Sequence, residues 1–291
     1  MIEYLSGDDI YVSILLLRGS PPERTLLLVE GPSDSACLAS HLDNSNTETI
    51  TCFGSRNLDG AMALVDRFSI PGVVAIRDSD WIGILNFPAP SANVVLTDLY
   101  DLDASIMLVT EIGDRLCRTF GDPTTVDNNC SSHGETSPVM LAVRIATDIG
   151  LLRLVSERHN LELALRDFPV HEVMDPTNGL ISREKLVALA IQRSSGARCT
   201  ADEVLGYMAS EPTELTQRLC SGHDLSAVLS VLIYRDWGGS KVPKTFMTKA
   251  ARAALACTEL WSLKFYSDVA DWESSTGWIV WKCGPHITSA A

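Results

Sequence analysis

The sequence predicts an α/β protein in which a mainly parallel β-sheet with flanking helices is followed by a mostly helical C-terminal region. Continuously apolar segments at 25–29 and 73–76 are typical of strands that are buried on both faces. Segments with apolar residues at helical spacing lie between such strands, and this alternation is the pattern of a parallel sheet. The chain has 291 residues, 46% of them apolar, and can therefore bury a core of this kind.

The first part of the chain, 1–120, supplies the predicted α/β domain. Each strand candidate is a short β-rich run that ends at glycine, proline or polar residues. Each helix candidate begins after such a break, and the helix that follows Asn57 has its apolar residues three or four positions apart. In chain order the predicted elements are strand 10–17, strand 25–29, helix 34–42, strand 49–53, a helix over 58–68, strand 73–76 and strand 93–97.

The rest of the chain is predicted to be helical. Residues 121–137 are polar and rich in glycine, proline and asparagine, which predicts a linker or excursion. Residues 138–291 then form the helical C-terminal region, in which Ser182 and Thr200 are candidate N-caps. The helices predicted there are 139–154, 183–192, 202–208, 225–233 and 245–263.

Composition and charge narrow the class of protein. No apolar run approaches the roughly 18 residues that a membrane span needs, which excludes an integral membrane protein. The N-terminus lacks the basic segment of a secretory signal peptide, so we expect a cytoplasmic protein without membrane partners. The net charge is −14, and residues 1–150 hold 8 arginines, no lysine and 21 acidic residues. Such an acidic half suits a site that collects divalent cations, or it only keeps the protein soluble.

The cysteines predict neither disulfides nor a zinc site. The eight cysteines contain no CxxC pair and, without a signal peptide, are expected to be reduced and mostly buried. The six histidines do not flank the cysteines at the spacing of zinc sites, which argues against a structural zinc ion.

Carboxylates follow two of the predicted strands where those strands end. Asp78 and Asp80 are two residues apart, so in an extended strand end both side chains would lie on one face, roughly 6–7 Å apart. Glu30 ends another strand, and Gly31 after it gives the backbone room to turn. Mg²⁺ prefers carboxylate and water oxygens and leaves positions open for a substrate phosphate. A single DxD is common, but its combination with Glu30 predicts a metal site.

The same segments carry a resemblance to a known family. Leu26–Asp34 and Val74–Asp80 resemble the Toprim domain of topoisomerases, primases and overcoming-lysogenisation-defect nucleases. Leu96–Asp103 and Ser221–Leu225 resemble the Tyr-x-x-Glu-Asn and Gly-His-Asp-Leu segments of the DUF4435 branch. That branch includes the Toprim effector of the PARIS anti-phage system, which works beside an ABC-type ATPase and resembles an RNA-directed, tRNA-cleaving nuclease.

The resemblance implies a Toprim-like Rossmannoid fold and a role for several acidic residues. It implies that Glu30 is the catalytic glutamate, acting as metal ligand and general base, and that Asp78 and Asp80 bind Mg²⁺ or Mn²⁺. Asp34 would be an outer or second-metal ligand. Asp103 stands where the family has glutamate, and no asparagine follows it, so its part at the metal stays open.

A local excess of positive charge lies in the C-terminal region. Its residues are candidates for binding the nucleic-acid backbone, and equally for a solvated helix face or a docking patch for a partner. His223 either contacts substrate or lies at a helix N-terminus that Asp224 caps, which is the interpretation we favour. The basic candidates are Lys241, Lys244, Lys249 and Arg252.

Two functions stay open at this point. The first is a Mg²⁺-dependent endonuclease that acts as an anti-phage effector and cleaves RNA such as tRNA in preference to DNA. It would be inactive until an ABC-type ATPase partner triggers it, with homodimerisation on activation as an option, because an acidic chain binds nucleic acid poorly alone. The second is a non-catalytic Toprim-fold protein that works through a partner complex. A phosphohydrolase of the haloacid dehalogenase type is disfavoured, because Ile82 stands where those enzymes have threonine.

Overall fold

The computed structural model describes residues 5–21, 23–211 and 216–284, and it confirms the predicted α/β class. The described strands form one all-parallel sheet whose spatial order is second, first, third, fourth. The strands are β1 (Thr25–Val29), β2 (Thr47–Thr51), β3 (Val73–Arg77) and β4 (Val94–Leu96).

Helices make up most of the remaining secondary structure. None of the described helices combines the length and the apolar character that crossing a bilayer requires. In chain order the helices are α1 (Gly7–Arg18), α2 (Pro32–Leu38), α3 (Ser55–Arg67), α4 (Leu102–Val109), α5 (Ile112–Phe120), α6 (Pro123–Ser132), α7 (Pro138–Arg158), α8 (Val170–Val173), α9 (Arg183–Arg193), α10 (Ala201–Ser210), α11 (Thr216–Leu219), α12 (Gly222–Arg235), α13 (Lys244–Ala254), α14 (Cys257–Leu260) and α15 (Lys264–Thr276).

The described residues fall into two compact units. The first holds the sheet with α1–α3, α14 and α15, and the second is built of helices. The first unit comprises the described residues of 1–82, 86–102 and 256–291, and the second comprises those of 83–85 and 103–255.

Strand β1 lies at the centre of the sheet because its sequence is apolar on both faces. All five of its residues are buried. Leu28 is in register with Ile50 of β2 on one side and with Ala75 of β3 on the other. A strand that is hydrogen-bonded on both edges and covered on both faces shows no polar alternation, which is why the continuous apolar run identified it.

The prediction of a strand over 10–17 is wrong, because this segment lies in α1. The side chain of Ser6 accepts a hydrogen bond from the backbone of Asp9, and the Asp9 carboxylate accepts one from the backbone of Ser6. This capping box starts a helix. Ile10 and Ile14, four residues apart, are buried and pack in the same core as residues of α3. Burial of this helical stripe outweighs the β-propensity of the run.

The predicted linker, 121–137, contains the helix α6. Asp122 begins it, since the Asp122 Oδ1 accepts a hydrogen bond of 2.8 Å from the backbone N–H of Thr125. Pro123 follows at the first helical position, where its missing N–H costs nothing. The polar composition of this segment therefore reflects helix capping as well as exposure.

The last described residues, from Ala256 onward, belong to the unit that holds the sheet. The indole Nε1 of Trp272 donates to Asn93 Oδ1 at 3.0 Å, immediately before β4. The hydroxyl of Thr25 in β1 donates to the carbonyl of Ile279 at 2.6 Å. The described part of the predicted region 138–291 is thus mostly helical, but its final part belongs to the unit that holds the strands.

The expectation of reduced cysteines is wrong for one pair. Cys257 and Cys283 form a disulfide whose Cα atoms are 5.6 Å apart. The pair lies 26 residues apart in sequence without a local signature, so spacing alone did not reveal it. Of the cysteines outside this disulfide, Cys199 is partly exposed and the others are buried: Cys37, Cys52, Cys117, Cys130 and Cys220.

Candidate acidic metal site

Two neighbouring strands of the sheet end at the same edge, and each is followed by a carboxylate. Glu30 follows β1, and Asp78 follows β3. From β1 the chain continues to β2 on one side, and from β3 it continues to β4 on the other. In open parallel sheets a crevice forms where the connections diverge in this way, outside the carboxyl ends of the strands. The two acids therefore stand where such folds bind ligands.

One direct hydrogen bond joins these two acids, and a second one holds the Asp78 side chain. The backbone N–H of Asp78 donates to Glu30 Oε1 at 3.0 Å, although the two residues are 48 positions apart. The backbone N–H of Leu102 donates to Asp78 Oδ1 at 3.1 Å. Both acidic residues are half-buried. The structure thus brings together Glu30 and Asp78, as the parallel arrangement of their strands led us to expect.

Asp80 reaches the same region by a different route from the one predicted. Strand β3 ends at Arg77, and Asp80 has a φ of 42°, in the left-handed region. The expected placement of Asp78 and Asp80 on one face of an extended strand is therefore wrong. The turn is held by the backbone, since the N–H of Asp80 donates to the carbonyl of Tyr100 at 2.8 Å. Between the two aspartates, the buried Ser79 donates its N–H to Thr97 Oγ1 at 3.0 Å.

Burial and mutual repulsion perturb the acids of this cluster. Burial, aided by the negative charges of Asp80 and Asp34 and opposed by the hydrogen bond from Asp78, raises the pKa of Glu30 to about 7. Burial also raises the pKa of Asp78 well above its ordinary value, with contributions from Asp101, Glu30 and the other acids. Several carboxylates thus share one poorly solvated place, and a cation there would relieve their repulsion.

Asp34 and Asp101 complete this acidic cluster, which we define as Glu30, Asp34, Asp78, Asp80 and Asp101. Asp34 lies in the first turn of α2, where its Oδ2 accepts a hydrogen bond of 2.9 Å from the N–H of Gly31. Asp101 was missed as a site residue, because the resemblance pointed to Asp103 two positions later. The signal that could have found it was the acidic turn after β4, which follows a strand of the same sheet edge.

A cation of the chain itself, Arg77, also borders the acidic cluster. Its guanidinium forms a bidentate ion pair with Asp59, at 2.8 and 3.1 Å, and donates to the carbonyl of Asp78 at 2.7 Å. Its Nη1 lies 3.9 Å from Asp80 Oδ2. Only 11% of the Arg77 side chain is exposed, so it is a fixed part of the site. Arg77 thus offsets part of the negative charge.

The donor atoms of the acidic cluster fit a hard divalent cation. All of them are carboxylate oxygens, the ligands that Mg²⁺ and Mn²⁺ prefer. Among the described residues, three ligand atoms within 4.8 Å of one another occur at His41, Cys257 and Cys283 and not in the acidic cluster. Mg²⁺ commonly keeps several waters and binds through one or two carboxylates, so this wider spacing still fits the ion.

Asp103 and Arg252, predicted for metal and nucleic acid respectively, bind each other. The guanidinium donates to Asp103 Oδ1 at 2.5 Å and to Oδ2 at 3.0 Å. Both side chains are 14% exposed. Because the guanidinium engages both carboxylate oxygens, we leave Asp103 out of the proposed metal site and Arg252 out of the proposed backbone contacts.

His223 and Lys244 lie together on the second unit, around Asp167. Lys244 Nζ is 2.8 Å from Asp167 Oδ1 and 3.0 Å from His223 Nε2. His223 Nε2 is 3.2 Å from the same carboxylate oxygen. These two residues are therefore engaged in an ion-pair group. Lys241 and Lys249, the remaining basic candidates, are exposed.

The helix α12 is capped by a residue other than the predicted one. Ser221 is its N-cap, because the Ser221 hydroxyl oxygen accepts from the N–H of Asp224 at 3.1 Å. Asp224 is buried and pairs with Arg153, whose Nε and Nη2 lie 2.6 and 2.9 Å from its two oxygens. His223, which lies between Ser221 and Asp224 in the sequence, is exposed. The segment that resembles the family motif thus fixes a helix start and a buried ion pair.

Comparison with protein-family models and with curated proteins identifies no relative of the chain. No protein-family model matches the chain, and no curated protein matches it either. The likeness to the Toprim and DUF4435 proteins therefore stays a prediction that rests on the segments quoted above.

Proposed function

We propose that the chain is a metal-dependent endonuclease whose active site is the acidic cluster. The observation that supports this proposal is the hydrogen bond of 3.0 Å that joins Asp78 to Glu30 across two adjacent strand ends. It holds two carboxylates at the crevice of a parallel sheet, where burial and further acids concentrate negative charge. Such a concentration costs folding stability, which is typical of functional sites.

The residues of the cluster would divide the chemistry between them. Asp78 would hold a divalent cation, aided by Asp80 and Asp34. A bound Mg²⁺ would polarise the phosphate and lower the pKa of a coordinated water. Glu30, whose pKa lies at about 7, can accept a proton from the attacking water near neutral pH. The backbone N–H of Asp78 keeps the Glu30 side chain in place for that step.

The substrate and partner belong to the same proposal but rest on the resemblance alone. We propose RNA, with tRNA as the leading candidate, cleaved in anti-phage defence of the PARIS kind. Two of the four basic candidates, Lys244 and Arg252, are engaged in ion pairs with the chain's own aspartates. The net charge is −14. An ABC-type ATPase partner, or a second copy of the chain, would therefore have to supply positive charge before nucleic acid binds well.

The ion pairs of Lys244 and Arg252 also favour a second candidate function. A non-catalytic Toprim-fold protein, acting through a partner complex, needs no nucleic-acid groove of its own. In that case the acidic cluster would be dispensable, and the acidic surface would serve to recognise a basic partner.

Cleavage assays separate these two functions. The purified chain is incubated with total RNA and with plasmid DNA, in Mg²⁺, in Mn²⁺ and in chelator, alone and with the proposed ATPase partner. We expect metal-dependent cleavage of RNA that Glu30→Gln abolishes. Glu48→Gln is the matched control, because it makes the same chemical change on β2 at a half-exposed side chain. Cleavage by Glu30→Gln at the rate of Glu48→Gln would rule out the acidic cluster as the active site.

A further inference from the structure

A second group of metal-ligating side chains lies in the first unit. The Nδ1 of His41 is 3.5 Å from the Sγ of Cys283 and 3.9 Å from the Sγ of Cys257. The three ligand atoms all lie within 4.8 Å of one another. Imidazole nitrogen and thiolate sulfur suit Zn²⁺ and other borderline or soft cations, and not Mg²⁺. This group is therefore chemically different from the acidic cluster.

The backbone around this group fixes its side chains. The N–H of Lys282 donates to the carbonyl of His41 at 2.8 Å, and Leu42 forms an antiparallel bridge with Trp281. The carbonyl of Cys283 accepts hydrogen bonds from other side chains of the same unit. His41 is 4% exposed and Cys283 is 7% exposed. The backbone thus holds the group in place, and two of its three members are buried while Cys257 is partly exposed.

The two nitrogen–sulfur distances are close to the edges of a tetrahedral zinc site. With Zn–S bonds of about 2.3 Å and Zn–N bonds of about 2.0–2.1 Å, tetrahedral angles place sulfur and nitrogen about 3.6 Å apart. The observed separations from His41 Nδ1 are 3.5 and 3.9 Å. A metal ion bound by all three residues would account for the position of the imidazole beside both sulfurs.

We propose that His41, Cys257 and Cys283 bind Zn²⁺ when the disulfide is reduced. A dithiol reductant gives two electrons and two protons to the Cys257–Cys283 bond, which opens to two thiols while the dithiol closes to its own disulfide. Zn²⁺ then binds both sulfurs and the neutral Nδ1 of His41, and the two thiol protons leave to solvent. A water or a further side chain takes the fourth position. In the sequence His286 follows Cys283 by three positions, but it lies outside the described residues and stays unassigned.

On reduction, the zinc ion would replace the disulfide as the cross-link between Cys257 and Cys283. The disulfide joins Cys257 to Cys283, and a bound zinc ion would in addition join both residues to His41, in the loop that follows α2. The sequence did not reveal this site, because His41 precedes Cys257 by 216 residues and Cys283 by 242. Its presence would correct the expectation, drawn from spacing, that the chain has no structural zinc.

Cobalt binding to the full chain tests this proposal. The protein is reduced with a dithiol, freed of it by gel filtration under nitrogen, and titrated with Co²⁺, a spectroscopic probe for zinc sites. We expect a thiolate-to-cobalt charge-transfer band that saturates at one equivalent and disappears on addition of one equivalent of Zn²⁺. The same protein with its disulfide closed should show no such band, and this control needs no substitution.

Variants assign the band to the proposed ligands. Cys257→Ser and Cys283→Ser should each lose most of the charge-transfer intensity, and His41→Asn should weaken Zn²⁺ binding by about tenfold or more. Cys199→Ser is the matched control and should leave the band unchanged. Absence of the band in the reduced wild-type chain, or the same band in Cys283→Ser, would overturn the proposal. Neither result depends on nuclease activity.

Discussion

At the scale of single residues, the pKa of Glu30 departs clearly from its ordinary value. Its pKa is raised from 4.5 to about 7, mainly by burial. Between these two pH values the folded chain keeps a proton on Glu30 that the unfolded chain has already released. The stability linked to this proton is therefore fully present below about pH 4.5 and is lost as the pH rises through about 7. The full effect is on the order of 3 kcal/mol, at 1.36 kcal/mol for each pKa unit.

The substitution Glu30→Gln should remove this dependence. Glutamine keeps an oxygen that can accept the N–H of Asp78 but carries no charge at any pH. We expect the variant to exceed wild type in free energy of unfolding at pH 8 by up to about 3 kcal/mol, and to match it near pH 4.5. Urea unfolding in chelator at both pH values measures the difference. A gain of equal size for the control Glu48→Gln, or none for Glu30→Gln, would show that burial does not perturb Glu30.

Asp103 supports a prediction of the opposite sign. Its bidentate pair with Arg252 is 14% exposed on each side. Removing one charge of such a pair leaves the other poorly solvated, so Asp103→Asn should lower the free energy of unfolding by about 3 kcal/mol. Replacing both partners, as in Asp103→Asn with Arg252→Met, should recover part of this loss. A change below about 0.5 kcal/mol, as at a surface pair, would contradict the pairing.

At the scale of helices and strands, the sequence correctly predicted the strands that are buried on both faces. Strands β1 and β3 were found within a residue of their observed bounds, because uninterrupted apolar runs are typical of the centre of a parallel sheet. The segment 10–17 misled for the same reason, since it is also β-rich and apolar. Val12 and Leu16 of that segment are exposed, so the outcome depends on the capping box of Ser6 and on the contact with α3. That contact is tertiary and leaves no local signal.

The contact between α1 and α3 can be tested at Gly7. A Cβ at Gly7 would lie 2.9 Å from backbone atoms of Gly60 and Ala61, closer than real side chains come. Gly7→Ala should therefore lower the free energy of unfolding by about 1–3 kcal/mol, as overpacking does. Gly19→Ala is the matched control, because a Cβ there would meet its nearest atoms at 3.7 Å. Equal stability of the two variants in urea would contradict the observed packing.

At the scale of the whole molecule, only the part of the candidate site that follows from the topology of the sheet could be predicted from the sequence. Parallel strands bring their carboxyl ends together, so Glu30 and Asp78 could be paired from sequence across 48 residues. The left-handed turn at Asp80 depends on a backbone hydrogen bond to the carbonyl of Tyr100. The position of the Arg77 guanidinium depends on its ion pair with Asp59. Neither contact has a sequence pattern. The group at His41 is assembled from the two ends of the chain, and no spacing rule connects them.

Charge also acts at this scale. The acidic residues are concentrated in residues 1–150, which contain 21 of them and 8 arginines. This concentration of negative charge repels the phosphates of a nucleic acid and attracts divalent cations. The proposed activity therefore depends first on whether the acidic cluster binds metal.

The most direct test is to measure, by calorimetry at pH 8, the binding of Mn²⁺ to the chain with its disulfide closed. Wild type should bind the ion, and Asp78→Asn should weaken binding by about tenfold or more, because one carboxylate of the cluster is lost. Asp103→Asn should bind as wild type does, since its partner is Arg252. Equal Mn²⁺ affinity in wild type and Asp78→Asn, or loss of binding in Asp103→Asn instead, would contradict the assignment of the acidic cluster as a metal site.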